Sequence, residues 1–539
     1  MRASRRRLLN YAGALGLAPL STHCGDGEST SAAPPGVFRH GVASGDPTPD
    51  AVILWTRVTL QELPETVEVE WLVASDPELA DVVQSGTAST GPELDYTVKV
   101  DATELDAGTT YYYRFSAGGE SSAVGRTRTL PDETGLSRLR FAVVSCSNYP
   151  AGYFNAYAFI ARRADLDAVI HLGDYIYEYG VGEFGDSGLL ERVSDPTAEI
   201  VTLEDYRRRH AQYKTDPDLQ EVHRQHVFIA VWDDHEVTNN AWQNGAENHQ
   251  PETEGDYAER KAAATRAYLE WMPVRADGDA PDFQRSFRFG DLAQLTMLDT
   301  RHFGRDEQTT DPCDPVILDP ERQLLGAEQE EWLFAELAAS QERGDRWRLL
   351  GQQVMFGQVR NVLTEAMCPI NQDQWDGYAS ARERLLLAIQ EGAIADVVVL
   401  TGDIHSSWGI DIAPDPFDAE SYDAESGSGA LAVEAVTPSV TSPGLADGAG
   451  TEALADLVRD THPHVKHVDL TRHGYVLLDV TPDAVQAEWY YVSTLAERGG
   501  EETLGAALVT ARGANHLVVS DTPSEPRDDA PAPAPQADT

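Results

Sequence analysis

Two short apolar runs each lead into side chains of types that bind metals. The runs Phe141–Val144 and Ala168–Leu172 are too short for helices and rich in Val and Ile, which predicts buried parallel strands. Cys146 follows the first run, and Asp174 follows the second with Tyr177 three residues later. In open α/β sheets, ligands bind at the carboxyl ends of strands. A thiolate, a carboxylate and a phenolate there indicate part of a metal shell, although such cysteines and tyrosines are often only packing residues.

A second polar cluster follows the predicted strand Val227–Trp232 and consists of Asp233, Asp234, His235 and Glu236. Adjacent carboxylates repel each other unless a cation or a donor compensates, which favours a metal site or an acid–base role. His235 beside a ligand carboxylate can act as a general acid, with Glu236 orienting it. The alternative is a helix N-cap formed by Asp233 or Asp234.

A third cluster follows the apolar run Val397–Leu400, where Gly402 is followed by Asp403 and His405. Asp403 and His405 are two residues apart, so in an extended chain both side chains point the same way. A lone histidine is usually structural, but here three strand ends each offer carboxylates. The three clusters together therefore predict a site for one or two adjacent metal ions.

The elements that position these clusters alternate from residue 138 onward. The predicted strands are Leu139–Ser145, Ala168–His171, Val227–Trp232, Ala293–Leu298, Trp347–Gly351, Asp396–Leu400, Leu431–Val436, Gly474–Val480 and Val485–Val492. The predicted helices are Tyr153–Arg163, Leu203–Tyr213, Asp256–Trp271, Ala327–Ala339 and Ala379–Gln390. This pattern predicts an α/β domain over residues 138–500, with a sheet in two halves and helices outside.

The segments before and after this domain differ from it in composition. Residues 36–131 contain short β-type runs separated by Gly, Pro and Asp turns, among them Ala51–Val58, Thr66–Val73 and the Tyr-rich Thr109–Ser116. This pattern predicts an N-terminal β-sandwich domain similar to fibronectin-type modules. Residues 518–539 are rich in Pro, Ala and Asp, which predicts a disordered tail.

The first 30 residues have the pattern of a targeting signal. Paired arginines at Arg5–Arg7 precede a short, mildly apolar run, which is typical of a twin-arginine export signal read by the export machinery. Cys24 lies in a stretch that loosely resembles a lipoprotein cleavage box, but His23 departs from the usual small residue. We therefore expect a periplasmic, extracellular or lipid-anchored protein. In that setting Cys313 and Cys368 can pair, which would leave Cys146 without a cysteine partner.

The charge balance excludes two classes of partner. The chain of 539 residues has 41 basic and 89 acidic residues, a formal net charge of −48. A surface this negative repels nucleic acids and anionic membrane faces, so we expect no nucleic-acid complex. We expect a monomer that acts on small phosphoesters, with phospholipids left open as substrates.

The three clusters, taken together, resemble the metallophosphoesterase superfamily. The stretches GDYIY from residue 173, DHE from residue 234 and GDIH from residue 402 are similar to its GDxxY, GNHE and GHxH motifs. Cys146, Asp234 and Asp403 stand where that superfamily usually has Asp, Asn and His. These departures and the opening FRHGVASGDPTPDAVILWTRV at residues 38–58 resemble the alkaline phosphatase D family, which is related to purple acid phosphatases. The resemblance covers residues 36–500 and implies a four-layer α/β/β/α catalytic domain behind a fibronectin-like β-sandwich.

The resemblance also implies an iron(III)–calcium centre, and the donor types agree with it. Anionic thiolate and phenolate donors with an imidazole suit Fe(3+), whereas additional carboxylates suit Ca(2+). Asp174 is the predicted bridge between the ions, and Asn239 is a possible extra ligand. The full predicted ligand set is Cys146, Asp174, Tyr177, Asp234, Asn239, Asp403 and His405.

The predicted reaction is hydrolysis of phosphomonoesters and phosphodiesters by a metal-bound hydroxide, with His235 protonating the leaving group. Arg301 and Arg305 are candidate phosphate-binding residues, because Arg is suited to bidentate phosphate contact. A structural ion pair is the alternative for both. Two other functions stay open, a phospholipase D-type phosphodiesterase and a non-catalytic surface binding protein that retains the fold.

Overall fold

The computed structural model describes residues 36–536, apart from residues 63, 276–282, 362–366, 447 and 521. The predicted signal segment, residues 1–30 with Cys24, lies outside the described residues. No helix within the described part of the chain is long and apolar enough to cross a membrane.

The described residues form 24 strands and eight α-helices. In chain order the strands are β1 (Val42–Gly45), β2 (Val52–Arg57), β3 (Val67–Ala74), β4 (Val82–Thr90), β5 (Thr97–Ala102), β6 (Thr110–Ala117), β7 (Glu120–Ser121), β8 (Gly125–Arg128), β9 (Leu139–Val144), β10 (Ala168–His171), β11 (Val227–Ala230), β12 (Ala241–Trp242), β13 (Gly245–Ala246), β14 (Arg285–Phe289), β15 (Ala293–Met297), β16 (Trp347–Gly351), β17 (Val397–Thr401), β18 (Ser407–Ile412), β19 (Ala432–Val436), β20 (Val465–Asp469), β21 (Gly474–Val480), β22 (Ala484–Val492), β23 (Glu502–Ala511) and β24 (Val518–Val519). The helices are α1 (Asn155–Ala161), α2 (Leu203–Tyr213), α3 (Pro217–Gln225), α4 (Pro251–Glu254), α5 (Tyr257–Trp271), α6 (Ala327–Arg343), α7 (Ala379–Glu391) and α8 (Ala449–Thr461).

Two large sheets form the centre of the protein. The first has ten strands in the order β24-β23-β22-β21-β9-β10-β11-β1-β2-β5, and the second has seven in the order β14-β15-β16-β17-β19-β18-β20. They meet face to face: the Phe141 and Phe289 rings lie 5.0 Å apart between centroids, and Trp489 Nε1 donates to Val436 O at 2.9 Å. The carboxyl ends of β9, β10, β11 and β17 therefore come together along one edge.

Strand β17 shows how the sequence produces the layers. Successive side chains of a strand point to opposite faces. Val398 and Leu400 pack into the core between the two sheets, whereas Val397 and Val399 pack with α6 and α7 on the outer face. The strand is therefore apolar on both faces from Val397 to Leu400, and the predicted four-layer α/β/β/α arrangement is confirmed.

The N-terminal segment is β-rich, as predicted, but its strands belong to two different sheets. Strands β3, β4, β6, β7 and β8 form a separate five-stranded sheet. Strands β1, β2 and β5 instead extend the ten-stranded sheet, since β1 pairs in parallel with β11 from Ser44 opposite Val227. Parallel pairing across such a sequence distance has no local signal, so the continuity of this sheet could not be read from the chain.

The C-terminal tail was predicted to be disordered, and for residues 522–536 this prediction is wrong. Arg527 pairs with Asp167 at 3.0 Å, and Tyr112 Oη donates to Ala532 O at 2.6 Å. Gln225 accepts a hydrogen bond from the Ala534 backbone at 2.9 Å. The Pro- and Ala-rich composition forms no helix there, but side chains of the folded domain satisfy the tail's backbone groups and hold it in place.

Two cysteines that the sequence left open form a disulfide. Cys313 and Cys368 are bonded with their Cα atoms 5.4 Å apart. Cys146 is a buried free thiol, which leaves it available as a ligand.

Candidate metal centre

Neighbouring strand ends bring the predicted clusters together. Strands β9, β10 and β11 are parallel neighbours, with Val144 opposite His171 and His171 opposite Ala230. Their loops are tied to one another, because Cys146 N donates to Gly173 O at 3.1 Å and Ser147 N donates to Asp174 O at 2.9 Å. The loop after β17 approaches from the second sheet and completes the centre.

Four of the predicted ligands have left-handed backbone conformations. The φ angles are 61° for Cys146, 55° for Asp174, 62° for Asp403 and 53° for His405. For residues other than glycine this region costs roughly 1–2 kcal/mol each. Such conformations concentrate at functional sites, where the surrounding structure holds them. The strand ends are therefore bent to aim these side chains at a common point.

Gly173 permits the closest approach between two of these loops. Its φ is 102°, and a Cβ atom added there would lie 2.4 Å from the backbone nitrogen of Asp233. Only glycine fits both the conformation and the space. The GD pair therefore has a packing reason for its glycine and a chemical reason for its aspartate.

Three overlapping groups of side chains have ligand atoms within 4.8 Å of one another. They are Cys146, Asp174 and His405; Asp174, Asp234 and His235; and Asp233, Asp234 and Asp403. Asp174 belongs to two groups and Asp234 to two, so the groups form one continuous centre. Asp174 is thus in the position expected of a carboxylate shared by two ions.

Unpartnered carboxylate oxygens support cation binding at this centre. Asp174 Oδ1, Asp233 Oδ2 and Asp234 Oδ1 are buried and have no hydrogen-bond partner. A buried carboxylate oxygen without a donor is costly unless a cation coordinates it. The residues therefore fit a metal centre, with soft and aromatic donors at one end and oxygen donors at the other.

The thiol and the phenol are protonated in the absence of cations. Burial raises the pKa of Cys146 and of Tyr177 well above their ordinary values, and the charge of Asp174 adds to both shifts. Burial also raises the pKa of Asp403 to about 7, although Arg301 opposes the rise. Cations bind the deprotonated forms, so metal uptake must release protons.

The His405 ring is oriented by a backbone carbonyl. Its Nδ1–H donates to Pro443 O at 3.1 Å, which leaves Nε2 facing the centre. Tyr177 Oη lies 3.2 Å from that Nε2 and donates to Asp174 Oδ2 at 2.9 Å. Ligand histidines commonly use their second nitrogen in this way. Tyr177 thus lies with the Cys146, Asp174 and His405 group.

His235 contacts a carboxylate that the sequence reasoning missed. Its Nδ1 donates to Glu178 Oε2 at 2.6 Å, and both side chains are buried. Burial alone would lower the pKa of His235, but the neighbouring carboxylates, Glu178 foremost, raise it well above its ordinary value. His235 therefore forms a buried ion pair with Glu178 at the edge of the centre. The signal for Glu178 was its place directly after Tyr177.

Glu236 was expected to orient His235, and the structure assigns it different contacts. Its carboxylate accepts hydrogen bonds from the backbone N–H groups of Asp174 at 3.1 Å, Tyr175 at 2.6 Å and Asp233 at 2.8 Å. Three such bonds clamp the loops after β10 and β11 together. The expectation that Glu236 orients His235 is corrected: Glu178 makes that contact, and Glu236 holds the ligand loops.

The guanidinium groups of Arg301 and Arg305 are bound by protein groups. Arg301 donates to Asp233 at 2.5 Å and to Asp373 and Asp403 at 2.7 Å each. Arg305 donates to Asp373 Oδ1 at 2.6 Å and to Thr300 O at 3.0 Å. Both side chains are fully buried. These contacts correspond to the ion-pair alternative, with Arg301 neutralising the acidic end of the centre.

Asn239 was predicted as a side-chain ligand, and the contact it makes beside the centre is through its backbone. Its N–H donates to Glu178 Oε1 at 2.8 Å. Two carboxylates absent from the predicted site also contribute: Asp233 belongs to one ligand group, and Asp373 anchors both arginines. Asp233 stood beside a predicted ligand, and Asp373 begins the stretch DQWDGY, which resembles a segment of the alkaline phosphatase D family but was not assigned a role.

Comparisons with known proteins agree with this arrangement. The chain matches the PhoD-like phosphatase family over residues 141–489 and the N-terminal domain of PhoD-like phosphatases over residues 25–131. It is 39% identical to alkaline phosphatase D of Bacillus subtilis (strain 168) over 486 residues, covering 88% of this chain and 80% of that protein.

Solved structures show the same relationship. The structure of PhoD superposes with a TM-score of 0.82 at 36% identity, covering 90% of this chain and 92% of that one. A purple acid phosphatase from yellow lupin (Lupinus luteus) seeds superposes with a TM-score of 0.55 at 13% identity, covering 90% and 77%, which shows a shared fold alone. The family resemblance read from the motifs is confirmed. The chain belongs to the PhoD-like phosphatase family and is a phosphoric ester hydrolase.

Proposed function

We propose that this protein is an exported, two-metal phosphoesterase that hydrolyses phosphomonoesters and phosphodiesters. The observation that carries the proposal is the set of buried, unpartnered oxygens on Asp174, Asp233 and Asp234 within overlapping ligand groups. Two donor sets that share a carboxylate can hold two cations close together, as two-metal hydrolysis of phosphate esters requires.

The two donor sets favour different ions. Cys146, Tyr177 and His405 supply thiolate, phenolate and imidazole, which suit iron(III). Asp233, Asp234 and Asp403 supply only oxygens, which suit calcium. When bound, the cations supply charge neutralisation of the phosphate and a water of lowered pKa for attack on phosphorus.

The chain's own residues supply the remaining chemistry. His235, held cationic by Glu178, donates its proton to the leaving oxygen as the ester bond breaks. Arg301 offsets part of the carboxylate charge, because its guanidinium bonds to Asp233 and Asp403. Glu236 holds the loops after β10 and β11 in fixed relative positions, since its carboxylate bonds to backbone N–H groups of both.

Replacing the shared carboxylate tests the proposal. Asp174→Asn removes a charge from both donor sets, so we expect metal content and hydrolysis of p-nitrophenyl phosphate to fall together, by at least two orders of magnitude in rate. Asp460→Asn on the exposed face of α8 is the matched control and should change neither. Full activity in metal-depleted Asp174→Asn protein would refute a two-metal reaction.

Elemental analysis with a visible spectrum tests the ion identities. Iron(III) bound by thiolate and phenolate should absorb visible light, and Cys146→Ser should lose or shift that band. A colourless protein with stoichiometric zinc would contradict the iron–calcium assignment.

A substrate panel separates the functional alternatives. We expect turnover of both p-nitrophenyl phosphate and bis-p-nitrophenyl phosphate, with an alkaline optimum. Faster turnover of phosphatidylcholine than of either would favour a phospholipase D-type enzyme. Binding without turnover of any of the three would favour a binding protein that retains the fold, an outcome that membership of a hydrolase family argues against.

Export is proposed from the Arg5–Arg7 signal pattern alone. Changing the paired arginines to lysines should retain the precursor inside the cell, measured by fractionation against the unchanged chain. We also propose a monomer, to be tested by light scattering of the mature protein.

A further inference from the structure

A glycine-rich loop places an aromatic ring over the metal centre. The Phe184 loop, residues 179–190, has the sequence YGVGEFGDSGLL and follows directly from Tyr177 and Glu178. The Phe184 ring lies 5.8 Å from the Tyr177 ring, 6.3 Å from the His235 ring and 6.2 Å from the His405 ring, measured between centroids. It is nearly parallel to the His235 imidazole, with 13° between the ring planes.

The path of this loop is defined by its glycines and by backbone hydrogen bonds. Gly182, Gly185 and Gly188 have φ angles of 78°, 70° and 75°, which favour glycine. A Cβ on Gly185 would lie 2.3 Å from the side-chain Nδ2 of Asn148. Ser187 N donates to Pro150 O at 3.0 Å. Phe184 is therefore held in position by the glycine beside it, which fits closely against Asn148.

His235 defines which part of the substrate meets Phe184. A leaving oxygen must come within hydrogen-bond reach of His235 to accept its proton. The first carbon of the alcohol is bonded to that oxygen, so the alcohol extends into the space beside the imidazole, where the Phe184 ring forms an apolar side. An aromatic side chain such as Phe184 packs favourably against apolar groups and against other aromatic rings.

The charges of the loop restrict the alcohol further. Residues 179–190 contain Glu183 and Asp186 and no basic residue. An anionic alcohol portion would be repelled there, whereas an uncharged ring would not. We propose that Phe184 is a specificity-determining residue that selects phosphoesters of uncharged aromatic alcohols. This inference rests on the proposed function, because it uses His235 to define the leaving-group side.

Binding of non-hydrolysable phosphonates tests the proposal without turnover. Phenylphosphonate carries the ring, and methylphosphonate presents the same anion without it. Calorimetry on the metal-loaded Phe184→Ala protein should show phenylphosphonate weakened about tenfold and methylphosphonate changed less than twofold. Phe184→Tyr should keep the wild-type preference, because it retains the ring.

Two further variants separate specificity from folding. Leu190 lies on the same loop and is 89% exposed, so Leu190→Ala should change the affinity for neither phosphonate. Gly185→Ala should reproduce the loss seen in Phe184→Ala, because a side chain at a φ of 70° is strained and its Cβ would also crowd the Asn148 side chain. Equal weakening of both phosphonates, or no change in either, would overturn the proposal.

Kinetics distinguishes this inference from the proposed function. Phe184→Ala should lower kcat/KM for phenyl phosphate about tenfold and leave that for methyl phosphate within twofold, with unchanged metal content. A wild-type protein that prefers phenylphosphonate but hydrolyses neither ester would refute the proposed function and keep the inference. Hydrolysis of both esters with no effect of Phe184→Ala would support the proposed function and refute the inference about Phe184.

Discussion

Replacing Glu178 with glutamine isolates the role of the His235 ion pair. The carboxylate lies 2.6 Å from His235 Nδ1, and neither side chain has more than 8% of its surface exposed. Glutamine has the same shape, and its amide oxygen can still accept from Asn239 N and Asn248 Nδ2. The substitution therefore removes the charge beside His235 while keeping most of the local hydrogen bonds.

The expected magnitude follows from the pair's geometry. Two unit charges with centres about 4 Å apart interact by about 4 kcal/mol at an effective dielectric constant near 20. At a pH where loss of the pair leaves the imidazole neutral, that energy corresponds to roughly a thousandfold in rate. This lies within the 10²–10⁴-fold range typical of general acid catalysis. We also expect the alkaline limb of the pH–rate profile to move to lower pH, because the pKa of His235 falls.

The assay compares leaving groups rather than a single rate. A proton donor matters most when the leaving oxygen is a strong base. Hydrolysis of methyl phosphate should therefore fall about a thousandfold in Glu178→Gln, while hydrolysis of 2,4-dinitrophenyl phosphate should fall much less. Stopped-assay kcat values across pH 6 to 10, at saturating metal, measure both effects.

Glu199→Gln is the matched control in the same network. Glu199 accepts hydrogen bonds from Asn248 at 3.1 Å and Arg260 at 2.8 Å, and neither bond involves His235. It should leave the leaving-group dependence unchanged. Equal losses for both esters in Glu178→Gln, together with lost metal, would refute proton donation by His235 and assign Glu178 a structural role.

Three further predictions concern stability. Removing the cations with a chelator should lower the free energy of unfolding by about 4 kcal/mol for each cation supplied at a thousand times its dissociation constant, and Asp174→Asn should abolish this difference in denaturant titrations. Burial lowers the pKa of His171 and His210 to about 3; because the folded state then binds fewer protons than the unfolded state, stability should fall as pH drops from about 6.5 towards 3, by about 1.4 kcal/mol per pH unit for each histidine. His210→Phe should reduce that slope by one proton, measured by urea unfolding at pH 7, 6 and 5, and an unchanged slope would contradict the assignment. Arg527→Ala should lower the free energy of unfolding by about 1–2 kcal/mol through loss of the Asp167 pair, with activity unchanged, and an unaltered midpoint would show that the tail is not held by this contact.

Local patterns predicted the strands and the polar residues that follow them. Strands Ala168–His171 and Trp347–Gly351 and helix Leu203–Tyr213 have the predicted bounds, because each is a continuous apolar or amphipathic run between clear breakers. The polar clusters came together as expected since parallel strands present their carboxyl ends at one edge.

Long-range pairings were the part that the sequence could not provide. Glu178 contacts His235 across 57 residues, and Asp373 contacts Arg301 across 72. Glu236 has the residue type of an acid–base group, but its carboxylate binds backbone N–H groups. Which of these roles it has depends on the positions of the folded loops. The ordered tail was missed for the same reason, because its partners lie in distant elements.

The electrostatics of the centre explain why an acidic protein can act on an anionic ester. Cations bind the deprotonated carboxylates of Asp174, Asp233, Asp234 and Asp403, and in that form their four charges exceed the positive charges of Arg301 and His235. Side chains alone therefore give this site an excess of negative charge, on a chain whose net charge is already −48. A phosphate group would be repelled from such a site, because like charges repel at the dielectric constant of water and more strongly at that of the protein interior. Binding of the ester thus depends on the cations, and His235 and Arg301 act as the protein's own positive charges beside them.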